Sequence, residues 1–359
     1  VKDKHKKKLT LLIMAGGTGG HVYPALAVAE SWREAGHAVV WMGTRTGMEA
    51  RVVPAAGIAM EWLAVAGIRG KGWRALLQSP VMLLRALWQS DRILQRVKPD
   101  VVLGMGGFAA GPGGLMSRVR GIPLVLHEQN RIPGTTNRLL ARLARRVLEA
   151  FPGSFPPGIG AVCTGNPLRQ ALCVPDQPVR TADDECLHIL VMGGSLGALI
   201  LNEQVPEALS RLGCSLRILH QSGPAMLEQT RTAYSKLGLE ATVKAFVDDM
   251  ASVYAWADLV ICRAGAMTIS ELAAAGLPAI LIPFPHAIDD HQTANARYFS
   301  EAGAGILLDQ KELGPERLAE IVGNLLQKKD NLTRMGTRAR TLARPDATRE
   351  VVYHCMQVI

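Results

Sequence analysis

The sequence predicts an α/β protein made of two Rossmann-like domains, each a doubly wound parallel sheet, facing one another across a cleft. Three observations predict it. An apolar run enters a glycine-rich loop and then a helix twice, in "LTLLIMAGGTGGHVYPALAVAESW" (residues 9–32) and in "CLHILVMGGSLGALILNEQVPEAL" (residues 186–209). The loops lie 177 residues apart, from Gly16 to Gly193, in a chain of 359. After each loop, short apolar runs alternate with helical patterns, as successive βαβ units require.

In chain order, Leu9–Ala15 reads as a buried strand stopped by Gly16, and Pro24, Ala25, Leu26, Val28 and Ala29 open the helix behind it. The glycines between them let backbone approach a ligand, and a helix N-terminus offers unpaired N–H groups. The loop therefore predicts a phosphate-bearing guest, where the plainer reading is a tight turn. "HAVVWMG", "DVVLGMGG", "IPLVLHEQ" and "RVLEAF" supply further strands of the first half, and "SLRILHQSG", "TVKAFV", "ADLVICRAG" and "PAILIPF" those of the second. The Pro- and Gly-rich stretch 151–169 reads as the linker, with domains at 1–163 and 164–343. In such sheets ligands sit at the carboxyl ends of the strands, so each domain holds one substrate.

An apolar share of 48% with 20% charged residues belongs to a folded chain. No run of eighteen apolar residues and no signal-peptide cleavage pattern is present, which predicts a chain kept in the cytoplasm. Six cysteines without a C-x-x-C pair predict reduced thiols. The net charge of +9 is unevenly spread: residues 1–166 hold 22 Lys and Arg against 9 Asp and Glu, so an anionic partner is expected of the first half. Aromatics form only 5% and do not interleave with the basic residues, which ranks nucleic acid last among such partners.

Two nucleotide-binding classes are excluded. Neither glycine loop passes the G-x-G-x-x-G fingerprint: the first has Val22 at the third position, and the second offers only Gly194-x-x-Gly197. Gly104-x-Gly106-x-x-Ala109 matches loosely, but Pro112 stands where a helix is expected, so the match reads as chance. There is no G-x-x-x-x-G-K-[ST] loop of a P-loop NTPase. The cluster His286, Asp289, Asp290 and His291 lacks the i, i+4 pairing of a metal site, and no metal is expected.

The order and spacing of "GGTGGHVYPALAVA", "GxRGKG", "HEQN", "TGNPLR", "GGSxGA", "CRAGAMTISELAAAG" and "HQTANA" resemble those of the bacterial family 28 glycosyltransferases of peptidoglycan synthesis. The resemblance runs from about Leu9 to the C-terminus. It implies a two-domain fold of the GT-B type, UDP-GlcNAc held mainly by the C-terminal domain, and the lipid-linked acceptor lipid I held by the N-terminal domain. The helix at about 344–359, after Pro345, would return to the N-terminal domain. No cofactor is implied, since the chain has no D-x-D signature for a divalent ion.

The resemblance also distributes roles. Ala266, Met267, Thr268, Ile269, Ser270 and Glu271 would hold the donor, the backbone of the first turn facing it and the Glu271 carboxylate accepting from the ribose hydroxyls. Thr268-x-x-Glu271 equally has the spacing of a helix capping box. Ser195 and Arg169 would hold the diphosphate, the backbone of Val247 would read the uracil edge, and Asn130 and Gln292 would bond the GlcNAc hydroxyls. Thr18, Gly19 and Gly20 would line the anionic site of the first loop. His21 and Glu128 compete as the base for an inverting displacement, with a purely positioning role for His21 equally open; an imidazole in water titrates near neutrality.

A lipid-borne acceptor requires a membrane surface. Between Ile68 and Lys98 seven basic residues and one acid accompany Trp73, Leu76, Leu77, Met82, Leu83, Leu84, Leu87 and Trp88. Trp73, Leu84, Arg85 and Trp88 are read as membrane-associating, on an anionic inner-membrane face, with attachment peripheral. The usual share of a helix face puts over half of these apolar residues in the core. Cell-wall and division proteins are further partners the resemblance suggests. Phe108 and Leu196 depart from the family pattern, in which Tyr and Gln are common. The same fold would serve a UDP-GlcNAc 2-epimerase or another glycolipid transferase, but these lack the "GIRGKGW" and "HEQN" segments; a non-catalytic nucleotide-sugar binder is disfavoured by the His21, Glu128 and Glu271 set.

Overall fold

The computed structural model describes residues 7–64, 73–169, 172, 186–194, 197–285, 288–327 and 330–359, and leaves the side chains of 73–79 and 288 undescribed. The chain forms two compact units, one of residues 1–169 with 345–359 and one of residues 170–344. The first contains β1 (Thr10–Met14), α1 (Gly19–Glu34), β2 (Ala38–Thr44), α2 (Glu49–Ala55), β3 (Ala59–Leu63), α3 (Trp73–Val97), β4 (Val101–Gly104), α4 (Ala110–Val119), β5 (Leu124–Glu128), α5 (Thr135–Leu140), β6 (Arg146–Glu149) and β7 (Val162–Cys163). The second contains β8 (Leu187–Met192), α6 (Leu199–Ser210), β9 (Leu216–Gln221), α7 (Leu227–Lys236), β10 (Ala241–Lys244), α8 (Met250–Trp256), β11 (Leu259–Cys262), α9 (Ala266–Ala275), β12 (Ala279–Leu281), α10 (His291–Glu301), β13 (Gly305–Leu307), α11 (Pro315–Leu326) and α12 (Asp330–Thr341). The last helix, α13 (Ala347–Gln357), returns to the first unit.

Both sheets are parallel throughout. Their strand orders are β3-β2-β1-β4-β5-β6-β7 and β10-β9-β8-β11-β12-β13. The second repeats the first, as the spacing of the two glycine loops predicts. In each sheet the order reverses beside the opening strand, between β1 and β4 and between β8 and β11. Such a reversal leaves a crevice at the carboxyl ends of the two strands, because their helices leave on opposite faces. Both glycine loops open onto this switch point.

The strands read as continuous apolar runs because both faces are covered. Leu11, Leu12, Ile13 and Met14 of β1 are all fully buried, each worth about 1.5–3 kcal/mol on removal from water. Trp41 on β2 is also buried and donates its indole N–H to the Ala15 carbonyl at 2.9 Å, which pins the point where β1 becomes loop. On α1, Val22, Ala25, Val28, Ala29 and Trp32 pack on one face of the sheet. They meet Val351, Val352 and Cys355 of α13 in the same cluster, so the C-terminal helix completes the N-terminal core.

Three local expectations change. Residues 151–169 are not a bare connector: Phe151 and Phe155 are buried, and Val162–Cys163 adds the edge strand β7. Pro112 does not interrupt a helix, because α4 begins at Ala110 and a proline within the first turn lacks only an N–H that has no partner there. The strand–glycine–helix unit at 101–119 is therefore real. Gly113 lets it lie close on β1 and Gly114 close on α5: a Cβ there would come within 2.2 Å of Met14 and 2.7 Å of Leu140, respectively. On α3, most described members of the apolar set stay outside the core: Leu83, Leu84 and Trp88 are exposed and Leu87 half-buried, while the half-buried Met82 packs against the core. Among the described residues no helix is long and apolar enough to cross a membrane.

Candidate functional site

In the first unit the loop after β1 turns at Gly17, whose φ of +92° lies in the left-handed region that favours glycine. Thr18 is the N-cap of α1, and its side chain makes no cap hydrogen bond. The first-turn amides at Gly19 and Gly20 thus open onto the switch point, where a helix N-terminus favours an anion. Gly106 and Gly107, at φ of +97° and +83°, bring the loop after β4 against it. A Cβ on Gly107 would lie 2.6 Å from the Gly16 carbonyl oxygen, and one on Gly106 would lie 3.0 Å from Nε2 of His21. The His21 ring is therefore held between the two loops, with Nδ1 3.3 Å from the Gly16 oxygen.

Carboxylates organise this edge of the sheet. Glu128, at the end of β5, is buried, and both of its oxygens are engaged. Oε1 accepts from the Asn130 amide at 2.9 Å and its side-chain NH2 at 3.3 Å; Oε2 accepts from the Gly134 amide at 3.1 Å and the Asn137 side chain at 2.8 Å. Glu149, at the end of β6, accepts from the amides of Gly153 and Phe155 at 2.7 and 3.0 Å. Glu49, at the start of α2, accepts from the amides of Gly17 and Thr44. Sequence reasoning missed Glu49 and Glu149, which stand in no motif; the only signal was an acidic residue beside each glycine turn.

Arg169, expected on the diphosphate, lies in the first unit, its guanidinium carbon 5.1 Å from the centroid of the Tyr23 ring. Thr18, Gly19, Gly20 and Asn130 also belong to this unit. Ser195, Leu196 and the "GxRGKG" segment lie outside the described residues.

In the second unit, the loop after β8 turns at Gly194 and Gly197, with φ of +88° and +79°. A Cβ on Gly197 would stand 2.1 Å from the Ser222 oxygen, so only glycine fits. Gln221 spans the site: its NH2 donates to the Gly194 carbonyl and its carbonyl accepts from the Val247 amide, both at 3.0 Å. The Val247 N–H is thus used within the chain. Behind them His220 bonds Asn202 at 3.0 Å and Tyr234 at 2.9 Å, and Asn202 donates to the Ser222 carbonyl at 3.0 Å.

The loop after β11 leads into α9, capped at Gly265 without a side-chain bond. The capping-box alternative fails for that reason: Thr268 is the third helical residue and not the cap. Ala266, Met267 and Thr268 supply first-turn amides, whereas the Ile269 N–H bonds the Gly265 carbonyl at 3.0 Å and its side chain is buried. Ser270 donates back to the Ala266 carbonyl at 3.1 Å. Glu271 accepts from the Tyr254 hydroxyl at 2.8 Å, and burial, with the nearby carboxylate charge, pushes the Tyr254 phenol well above its usual range. Asp289 and Asp290, both at φ of 53°, twist the chain into α10, where the side-chain carbonyl of Gln292 accepts from the Phe284 amide at 2.9 Å. Among the described residues no group of three His, Cys, Asp or Glu could hold a metal ion, and His286 lies outside them.

Two buried histidines give the fold a pH dependence. Burial lowers His127 to about 4 and His220 to about 3. The unfolded chain, with histidine near 6.5, binds the extra protons, so this stability is fully present above about pH 6.5 and is lost as the pH falls through 4. For His127 the loss is on the order of 3 kcal/mol. The melting temperature is expected to fall steeply between pH 6.5 and 4, and His127→Gln to flatten that slope whatever its effect at pH 8; an equal slope in the variant refutes the assignment.

Comparison with known proteins places this geometry. The Glycosyltransferase family 28 N-terminal domain matches residues 11–149 and the C-terminal domain residues 188–351. The UDP-N-acetylglucosamine–N-acetylmuramyl-(pentapeptide) pyrophosphoryl-undecaprenol N-acetylglucosamine transferase of Methylococcus capsulatus is 59% identical over 353 residues, covering 97% of this chain and 98% of that protein. The transferase of the same name from Alkalilimnicola ehrlichii is 54% identical over 353 residues, covering 97% and 99%. The crystal structure of MurG from Acinetobacter baumannii superposes with a TM-score of 0.84 at 41% identity, covering 97% of this chain and 99% of that one. With both domain matches in chain order and relatives this similar along almost the whole length, the chain belongs to glycosyltransferase family 28.

Proposed function

We propose that this chain transfers GlcNAc from UDP-GlcNAc to the C4 hydroxyl of MurNAc in lipid I, giving lipid II with inversion at the anomeric carbon. The observation that carries the reading is 59% identity, over 97% of the chain, to a transferase of that name. The geometry supports it through a glycine loop at each of the two switch points, one for each pyrophosphate-bearing substrate.

In this reading His21 takes the proton from the attacking C4 hydroxyl as the bond to the anomeric carbon forms and the bond to the UDP oxygen breaks. Glu128 is the brace of the 128–137 loop, since both its oxygens are already occupied by donors. The amides at Thr18, Gly19 and Gly20 meet an anionic phosphate. In the second unit, the Val247 carbonyl accepts from the N3–H of uracil, Glu271 accepts from the ribose, and the first turn of α9 with Gln292 orients the rest of the donor. The charge developing on the departing UDP is met by fixed amide dipoles, which need no reorganisation during the reaction.

Access to the lipid is assigned to α3 and its neighbours. Val81, Leu84 and Trp88 follow i, i+3, i+7 spacing on α3, and Leu84 and Trp88 are 66% and 60% exposed. Exposed Leu115 and Val119 lie on α4, which packs against α3. Arg85 is exposed beside them, and the Arg92 guanidinium carbon sits 5.4 Å from the Trp88 ring centroid. An apolar patch rimmed by arginines suits an anionic bilayer surface. Leu84→Glu with Trp88→Ala is expected to lower partition onto phosphatidylglycerol vesicles at least about tenfold; partition like that of the unmodified protein would remove the assignment.

The reaction is tested by incubating the protein with radiolabelled UDP-GlcNAc and a lipid I analogue in EDTA. Label passing to the lipid is the expected result. Retained UDP-GlcNAc binding with no label in the lipid would redirect the reading to an epimerase or another acceptor, and loss of binding would remove it.

A further inference from the structure

The peptide unit joining Gly16 to Gly17 is engaged at both of its polar ends. Its N–H, on Gly17, donates to Oε2 of Glu49 at 3.0 Å, while its carbonyl, on Gly16, lies 3.3 Å from Nδ1 of His21. A carbonyl oxygen only accepts, so Nδ1 carries the proton in that contact, and the neutral ring has its lone pair on Nε2.

Glu49 is fully buried. Its Oε1 accepts from the Thr44 amide at 3.0 Å and from the Thr44 hydroxyl at 2.8 Å. These donors, like Gly17, are neutral. A buried carboxylate held by neutral donors is costly, and the chain has nevertheless cleared space for it. A Cβ on Gly16, Gly43 or Gly47 would lie 2.6, 2.8 or 2.0 Å from its side chain. The loop after β4 is likewise stripped back around His21, with Gly107 against the Gly16 carbonyl and Gly106 against Nε2.

We propose that Glu49 is a positioning residue for His21 that acts through the Gly16–Gly17 peptide, fixing the imidazole in the tautomer that presents Nε2 to the acceptor hydroxyl. The carboxylate draws on the Gly17 N–H, which polarises the Gly16 carbonyl and strengthens its bond from Nδ1–H, as linked hydrogen bonds do. When Nε2 takes the hydroxyl proton, the ring becomes an imidazolium, and the same carbonyl holds it by a charge-assisted bond. No proton crosses the peptide: the one taken from the hydroxyl stays on Nε2 until solvent removes it. The arrangement performs the orienting role of the carboxylate in a hydrolase triad, with a peptide unit interposed.

This rests on the reading of His21 as the base, and the experiment separates the two. Glu49→Gln keeps the shape and an acceptor oxygen but removes the charge. It is expected to lower kcat about three- to tenfold and to move the acid limb of the kcat profile about half a unit lower in pH. KM for UDP-GlcNAc is expected to stay within about twofold, because the donor site lies elsewhere. Tyr23 follows two residues on in α1 with the Arg169 guanidinium carbon 5.1 Å from its ring centroid, and Met105–Phe108 carries no titratable side chain. In a His21→Ala background, Glu49→Gln is expected to change kcat no further. Nitrogen-15 spectra of the unliganded protein should show His21 protonated at Nδ1, with the Gly17 amide shift following the His21 titration; this holds in the unmodified chain even where the variant folds poorly. A Glu49→Gln protein with the original kcat and acid limb, the same loss in the His21→Ala background, or a Gly17 amide blind to His21 would each overturn the proposal. Full activity of His21→Ala alone would instead overturn the assignment of the base.

Discussion

His21→Ala is expected to lower kcat by about 10²–10⁴-fold while UDP-GlcNAc still binds, the range for loss of a general base. The argument is positional. His21 lies in the first turn of α1, its Nδ1 is 3.3 Å from the Gly16 carbonyl oxygen, and a Cβ on Gly106 would lie 3.0 Å from Nε2. No other ring or carboxylate in the described part of this crevice is placed as well, since Glu128 and Glu49 each spend both oxygens on loop donors. Single-turnover kinetics with saturating donor give the test, and a variant within a few-fold of the original rate would return the role to Glu128 or to solvent. Glu128→Gln should contrast with it, lowering the melting temperature more than the chemical step.

Glu271→Ala is expected to raise the KM for UDP-GlcNAc about 10- to 100-fold with a much smaller change in kcat. Hydrogen bonds to a charged group are worth about 1.5–3 kcal/mol each, and those to a ribose are made alike in the ground and transition states. Tyr254 fixes the carboxylate through its hydroxyl at 2.8 Å, so Tyr254→Phe should give a weaker effect of the same kind. Isothermal titration with UDP separates the outcomes: unchanged affinity in Glu271→Ala would remove the ribose role, whatever happens to turnover.

Much of the architecture was legible because buried parallel strands write themselves as unbroken apolar runs. Leu9–Ala15, "DVVLG" and "ADLVIC" became β1, β4 and β11, and the repeated glycine loop marked a second domain of the same kind. The strands that escaped notice are β3, β7 and β13, which lie at sheet edges and are only partly covered. Ala59–Leu63 carries an exposed Ala59 and half-buried neighbours, so no run of buried residues marks it. Pro112 misled because local chain preference was weighed without its place in the helix, where the first turn accepts it. At the site, motif residues were found, but their partners were not. Gln221 lies 26 and 27 residues from the groups it holds and Glu49 lies 32 from Gly17, and nothing in a linear reading separates a carboxylate under a loop from one in solvent. Thr268 and Glu128 show the converse, since a motif can name a residue and leave its task open until its hydrogen bonds are seen.

The return of α13 to the first unit bears on how the chain is made. Val351 and Cys355 fill the same core as Val22, Val28 and Trp32, yet they are synthesised more than 300 residues later. A ribosome releasing the first 169 residues therefore delivers a sheet whose α1 face is still open to water. The second unit, contained within residues 170–344, has all its strands and can fold while the first waits. Closure of the core shared by α1 and α13 therefore waits on residues 345–359, and a chain truncated before them is expected to leave the apolar face of Val22, Val28 and Trp32 uncovered.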